Sequence, residues 1–267
     1  MSTVAVMPAR AASAPGFGAT LRSEWLKLTS VRSTWWTLGA MVVLGAGLTT
    51  LICWGNAEWL ASAEADESPG SFITWGMMIA QITAVVLGTL VVTTEYATGM
   101  IRTSIAAVPR RGRVFAAKTI VLTSLLFVVG TATALLGYLG GNFFLDREGI
   151  GMALEGDVLR AMWGSGVFMA GLGLFAAATG FLLRHTAATI SLVIGLVFVV
   201  GNMVMLVPGD FGIWLERLMP GNAGGAIASP VPFNPNLLDA WPSLAIFLGE
   251  VALLTAAAVT LLKRRDA

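Results

Sequence analysis

Six stretches of this chain are almost wholly apolar, near residues 34–54, 72–92, 114–139, 160–183, 187–207 and 241–262. Each holds about 20 residues or slightly more, the length at which a helix crosses a hydrocarbon layer roughly 30 Å thick. Composition agrees: 56% of residues are hydrophobic and 12% are charged, against about 25% charged in soluble domains. So little charge could not cover the surface of a water-soluble body. The chain therefore reads as an all-α polytopic membrane protein with six transmembrane helices. The fourth and fifth stretches are separated only by Arg184, His185 and Thr186, which makes them a tight helical hairpin.

The distribution of charge sets the expected orientation. With the N-terminus in the cytoplasm, Arg147, Arg160 and Arg217 alone fall outside, leaving 13 of the 16 basic residues inside, as the positive-inside rule requires. The first outer loop carries Glu58, Glu64, Asp66 and Glu67 and no basic residue. Both termini are expected to be cytoplasmic, in a cytoplasmic membrane. One cysteine, Cys53, excludes an internal disulfide, and one histidine makes a Cys/His metal cluster improbable, so no metal is expected.

Residues 1–16 are small, polar or helix-breaking and read as a disordered cytoplasmic tail. Residues 17–33 place Leu21, Trp25 and Leu28 at helical spacing, which suits an amphipathic helix lying on the membrane surface with Trp25, Trp35 and Trp36 at headgroup depth. Residues 34–267 form the six-helix domain. Its long outer loop, 208–240, holds apolar pieces too short to cross, expected to be short helices capping the bundle. In the fourth span Gly166/Ala170 and Gly173/Ala177 are small-xxx-small pairs for close helix packing.

Gln81, Asn202 and Glu250 are polar residues well inside the apolar runs. Gln81 and Glu250 each sit nine residues into a span that starts from the outer side. At 1.5 Å per residue both lie roughly 13 Å deep, near the midplane. Ionised carboxylates there cost at least about 2.5–3.5 kcal/mol, so Glu250 is expected to face the bundle and to hydrogen-bond Gln81. Together they are candidates for a substrate path; a role for Glu250 as paired helix glue is the other reading. Asn202 reads as a helix–helix hydrogen bond.

Catalytic signatures are missing. There is no G-x-x-x-x-G-K-[ST] phosphate loop, no H-E-x-x-H and no G-x-S-x-G. The chain is not expected to be an enzyme, and if it uses ATP another chain must bind it. One island of charge interrupts the apolar sequence: EYATGMIRTSIAAVPRRGR, residues 95–113. As a helix over 97–108, about 18 Å long, it sets Ala97, Met100, Ile101, Ile105 and Val108 on one stripe. Thr98, Gly99, Arg102 and Ala106 lie opposite, a small polar face suited to a soluble partner.

EWLKLTSVRSTWWTL at 24–38 and TTEYATGMIRTSIAAVPRRGRVFAAKTIV at 93–121 resemble the membrane subunits of ABC-2-type transporters, and ERLMPGNAGGAI in the outer loop is similar to that family as well. The resemblance implies that the cytoplasmic segment between the second and third spans is a coupling helix seated in an ATPase subunit. It places Glu95, Gly99, Arg102, Thr103, Arg110, Arg113 and Lys118 in the coupling motif. It implies a second permease subunit, homo- or heterodimeric, and a pair of ABC ATPases that bind ATP and Mg; this chain itself binds no cofactor. No nucleic-acid partner is expected. The expectation is thus a permease subunit of an ATP-driven exporter. The rivals are an ion-driven secondary transporter using Glu250 and a non-transporting immunity or scaffold protein.

Overall fold

The computed structural model describes residues 16–107, 111–231 and 234–264, and no strand occurs among them. All but residue 16 of the expected N-terminal tail lies outside the described residues. A first helix, α1 (Phe17–Ser30), precedes six helices long and apolar enough to cross a membrane. These are α2 (Arg32–Ala61), α3 (Pro69–Ala97), α5 (Arg111–Arg147), α6 (Gly156–Leu183), α7 (Thr186–Leu206) and α10 (Ala240–Arg264), the last apolar as far as Leu262. Between α3 and α5 lies the short α4 (Met100–Ala107). Between α7 and α10 lie α8 (Gly209–Arg217) and α9 (Pro220–Gly225), the latter continued by a 3₁₀ turn over Ala226–Ala228. Two spans contain π-helical stretches, Val43–Gly47 in α2 and Gly195–Val200 in α7.

The spans are longer than hydropathy alone suggested. At 37 residues, α5 extends about 55 Å, well beyond a hydrocarbon layer roughly 30 Å thick. Its C-terminal turns therefore stand clear of the apolar window.

Two helices form the centre. The apolar windows of α3 and α6 are each 67% buried, against 22–39% for the other four spans. Lipid is as apolar as leucine, so close packing rather than water exclusion has to hold such a centre together. Glycine makes the approach possible: a Cβ on Gly88 of α3 would lie 2.1 Å from the Gly173 carbonyl oxygen of α6. Cβ atoms on Gly166 and Gly164 would each lie 2.1 Å from a neighbour, Thr131 Oγ1 on α5 and the Ile227 carbonyl oxygen. The small residues of the fourth span thus serve packing inside one chain. Fully buried Leu122, Leu126, Met169, Leu172 and Phe247 fill the space around them.

The α6–α7 hairpin forms where the sequence put it. Arg184 adopts a left-handed conformation (φ 55°) and closes α6 with a 2.8 Å bond from its N–H to the Gly180 carbonyl. His185 then caps α7, its Nδ1 accepting from the Ala188 N–H at 3.2 Å. The Arg184 guanidinium covers the Tyr96 ring at 4.9 Å, which sets the hairpin beside the end of α3. This end of the bundle, with α1, α4 and the start of α5, is the basic end; the opposite end is the far end.

Candidate functional site: a buried ion network beneath a short helix

At the basic end α1 packs against α5 with Thr20, Glu24 and Leu28 buried. Leu21, Trp25 and Leu28 were expected on the membrane-facing side of this helix. Leu28 is instead buried against the bundle, while Trp25 is 45% exposed and Glu24 only 4%. An acid takes the inner position because opposite charges meet it there. Lys118 Nζ on α5 donates to Glu24 Oε2 at 2.7 Å and to Glu95 Oε1 on α3 at 2.9 Å. Lys27 Nζ, one turn along α1, donates to Glu24 Oε1 at 2.7 Å and to the same Glu95 Oε1 at 3.0 Å.

Two acids and two lysines thus alternate in sign across three helices. Removing four charges from water is costly, and the cost is offset only where every charge meets the opposite sign at hydrogen-bond distance. Here each one does. A 3.2 Å bond from Lys118 Nζ to the Val91 carbonyl uses a further proton of that ammonium. Burial on its own would raise the Glu24 carboxyl, but Lys118 and Lys27 outweigh it and hold Glu24 below its ordinary range. Burial on its own would lower Lys27, but Glu24 and Glu95 outweigh it and hold the ammonium above its ordinary range.

Lys27 is the most open member, its side chain 27% exposed against 3–5% for the other three. From that edge it donates to Ser104 Oγ of α4 at 2.9 Å. The short helix is therefore tied to α1 by a hydrogen bond, and Ile101 buries its inner face.

Helix α4 differs from the expected segment. It begins at Met100 rather than at residue 97, is described as far as Ala107, and is separate from α3; Val108 lies outside the described residues. The break comes at Gly99, whose φ of +71° is left-handed and favours a residue without Cβ. The turn takes Ala97, Thr98 and Gly99 out of the short helix and re-aims the chain.

Of the residues expected in the coupling motif, Glu95 and Lys118 lie inside the network, and Gly99 makes the turn. Thr103 is exposed, its hydroxyl donating to its own helix at the Met100 carbonyl, 2.8 Å away. Arg113 is half-buried at the start of α5. The Arg102 side chain and Arg110 lie outside the described residues. Sequence reasoning missed Glu24 and Lys27 as site residues. The available signal was an E-x-x-K pair placed within the buried period of an amphipathic helix.

The expected Gln81–Glu250 hydrogen bond does not form. Gln81 Nε2 donates to the Met78 carbonyl of its own helix at 2.8 Å, and neither Gln81 Oε1 nor Glu250 Oε2 has a partner. Their helices, α3 and α10, both pack on α6. Equal depth did not imply a shared face. Asn202 likewise bonds within its own helix, to the Phe198 carbonyl.

At the far end, a cavity of about 740 Å³ lies between the start of α3, the end of α7 and the segment carrying α8 and α9. Gln81, Asn202 and Glu216 are among its lining residues. Two arginines brace this end. Arg160 Nη1 and Nη2 donate to the carbonyls of Ala226, Ile227, Ser229 and Pro230 at 3.2–3.4 Å, and Arg217 Nε donates to the Asn236 carbonyl at 2.7 Å.

A family model described as ABC-2 family transporter protein matches residues 20–202. The chain belongs to the ABC-2 transporter family. No curated protein matches it. The matched range begins inside α1 and ends inside α7, so all four network residues and α4 fall within it. As an ABC-2 protein with six apolar helices, the chain is a multi-pass membrane protein and a permease subunit of an ABC transporter. ABC-2 membrane proteins generally work with ABC ATPase partners.

Proposed function

We propose that this ABC-2 permease is the membrane half of an ATP-driven exporter and that α4 is where a separate ATPase acts on it. The observation that carries the reading is the linkage beneath α4. Lys27 joins Ser104 to Glu24 and Glu95, and Lys118 extends the linkage to α5. A displacement of α4 is passed through short charged contacts to α1, α3 and α5 together. Glu95 and Lys118 act here as anchors behind the helix, and Gly99 as its turn. Thr103, Arg102, Arg110 and Arg113 are the residues left to meet the ATPase.

In this reading the basic end faces the cytoplasm, with both termini there. ATP and Mg are held by the ATPase pair, this chain has no catalytic role of its own, and a second permease subunit completes the path. Two permease bundles rock against each other as the ATPases close, opening a way to the far end. The test is reconstitution of the permease with its ATPase in vesicles. Arg102→Glu is expected to abolish transport-linked stimulation of ATP hydrolysis while the complex still co-purifies. Full stimulation and transport by that variant would sink the proposal.

A further inference from the structure

Helix α8, at the far end, is amphipathic in the opposite sense to a helix washed by water. On a wet surface aromatic side chains turn inward and carboxylates outward. In α8 Phe211 is 65% exposed and Trp214 56%, while Glu216 is only 6% exposed. The two rings stack, their centroids 6.5 Å apart and their planes 19° apart, so they offer one continuous aromatic surface. At about 100° per residue, Glu216 stands about 140° round the helix from Phe211 and about 160° from Trp214. Its carboxylate accepts from Asn234 Nδ2, and Asn222 Nδ2 donates to its main-chain carbonyl at 3.1 Å. Gly212, Ile213 and Glu216 line the far-end cavity. The helix therefore stands between that cavity and whatever lies outside it, with its acid turned inward and its aromatic rings outward.

The surroundings identify what lies outside. Span α7 ends at Leu206 and α8 begins at Gly209, so no more than about 11 Å of chain separates them. Val199, Val200, Met203 and Leu206 of α7 are exposed, as side chains on the lipid face of a span must be, and exposed Val207 carries that surface on to α8. The turn into α8 is made at Gly209, φ +80°. Beyond Trp214, on the side away from Phe211, the helix carries Asp210 and Arg217, of which Asp210 is exposed. An apolar edge and a charged edge thus flank a tryptophan. That order matches the boundary of a bilayer, where aromatic rings sit at headgroup depth and charges reach water. Nine residues are too few to cross the layer. We propose that α8 lies along the far surface of the membrane, with Phe211 and Trp214 seated among lipid headgroups and the first acyl carbons, and so walls the cavity off from lipid. This seat requires the six spans but no ATPase.

The test uses the full-length chain alone, in lipid nanodiscs without nucleotide or ATPase, so failure of the ATPase reading leaves it unaffected. Phe211→Cys, Trp214→Cys and Asp210→Cys are each spin-labelled; Cys53 is buried, and the unsubstituted chain serves as the labelling control. At positions 211 and 214, collisions with oxygen, which partitions into lipid, should exceed those with a water-soluble nickel chelate severalfold. At position 210 the order should reverse. More collisions with nickel than with oxygen at 211 and 214 would put the rings in water and overturn the proposal. Few collisions with either reagent, together with an immobilised label, would mean that a second copy of this chain covers the rings, and would overturn it too. If the labelled variants assemble poorly, the emission lost in Trp214→Phe gives an independent reading. In the unlabelled chain that component should be quenched by phospholipids brominated on acyl carbons near the headgroup and hardly at all by aqueous iodide. The opposite pattern would count against the membrane seat as decisively.

Discussion

The two ends of the molecule treat buried charge and buried neutral polarity differently. At the basic end four charges are withdrawn from solvent and each is matched by the opposite sign at 2.7–3.0 Å. At the far end Ser71 and Gln81 are buried just as deeply, yet their side-chain oxygens have no partner. The charge-matched network resists rearrangement, since each bond lost leaves a charge stranded in a low dielectric, although Glu95 Oε2 takes no partner in it. The contrast teaches that charges are matched at the basic end while neutral side-chain oxygens are left unpaired at the far end, with the α3–α6 glycine contact joining the two.

The largest effect should come from breaking the matched end. Lys118→Met leaves Glu24 and Glu95 buried with only Lys27 between them. It should destabilise the fold by about 3–5 kcal/mol, read by chemical unfolding in detergent. Adding Glu24→Leu to that variant should recover much of the loss, because the remaining Lys27–Glu95 pair is balanced. No recovery would mean that packing, not charge, governs this end.

The join between the ends comes next. Gly88→Val sets a branched side chain where even a Cβ would lie 2.1 Å from the Gly173 carbonyl oxygen. Thermal unfolding should show a loss of about 1–3 kcal/mol, the usual cost of overpacking. Gly99→Ala forces a Cβ into a left-handed turn, at about 1–2 kcal/mol. Its effect on transport should exceed its effect on stability, because the turn aims α4.

The smallest effect is that of pH, and its sign comes from the two shifted groups. Glu24 is depressed, so its contribution is present above its unfolded value and disappears as pH falls through the lower folded one. Lys27 is raised, so its contribution is complete below its unfolded value and disappears as pH rises through the higher folded one. Stability should be flat through neutrality, falling in acid below the ordinary carboxylate range and in alkali above the ordinary lysine range. Glu24→Gln should remove the acid limb and Lys27→Met the alkaline limb, as followed by melting temperature across pH.

Much of the fold was legible in the sequence because lipid imposes a simple demand. Apolar length marks a span, and the Arg184–Thr186 break marks a hairpin whatever lies around it. The network was not legible in the same way. Its bonds join residues 68 to 94 positions apart, from α1 to α3 and α5, and local periodicity says nothing of such distances. Leu28 reads with Trp25 as membrane-facing, and only the packing of α1 on α5 separates the two. Counting residues gave Gln81 and Glu250 a common expected depth, while the direction each faces is set by how helices pack about α6. Gly99 looked like part of a helical face because composition does not show the backbone reversing hand.

The π-helical stretch of α7 governs the residues C-terminal to it. A π turn closes i→i+5 rather than i→i+4 and so holds one residue more than an α turn. Gly195–Val200 is therefore a phase adjustment in the middle of a span. Winding it as an ordinary α-helix, with every residue kept, would rotate everything beyond it by about 100°. Asn202 and Met205, which now line the cavity, would swing away from it, although no residue in the cavity wall had changed. The angular position of that wall is thus specified by a single surplus residue inside the preceding span.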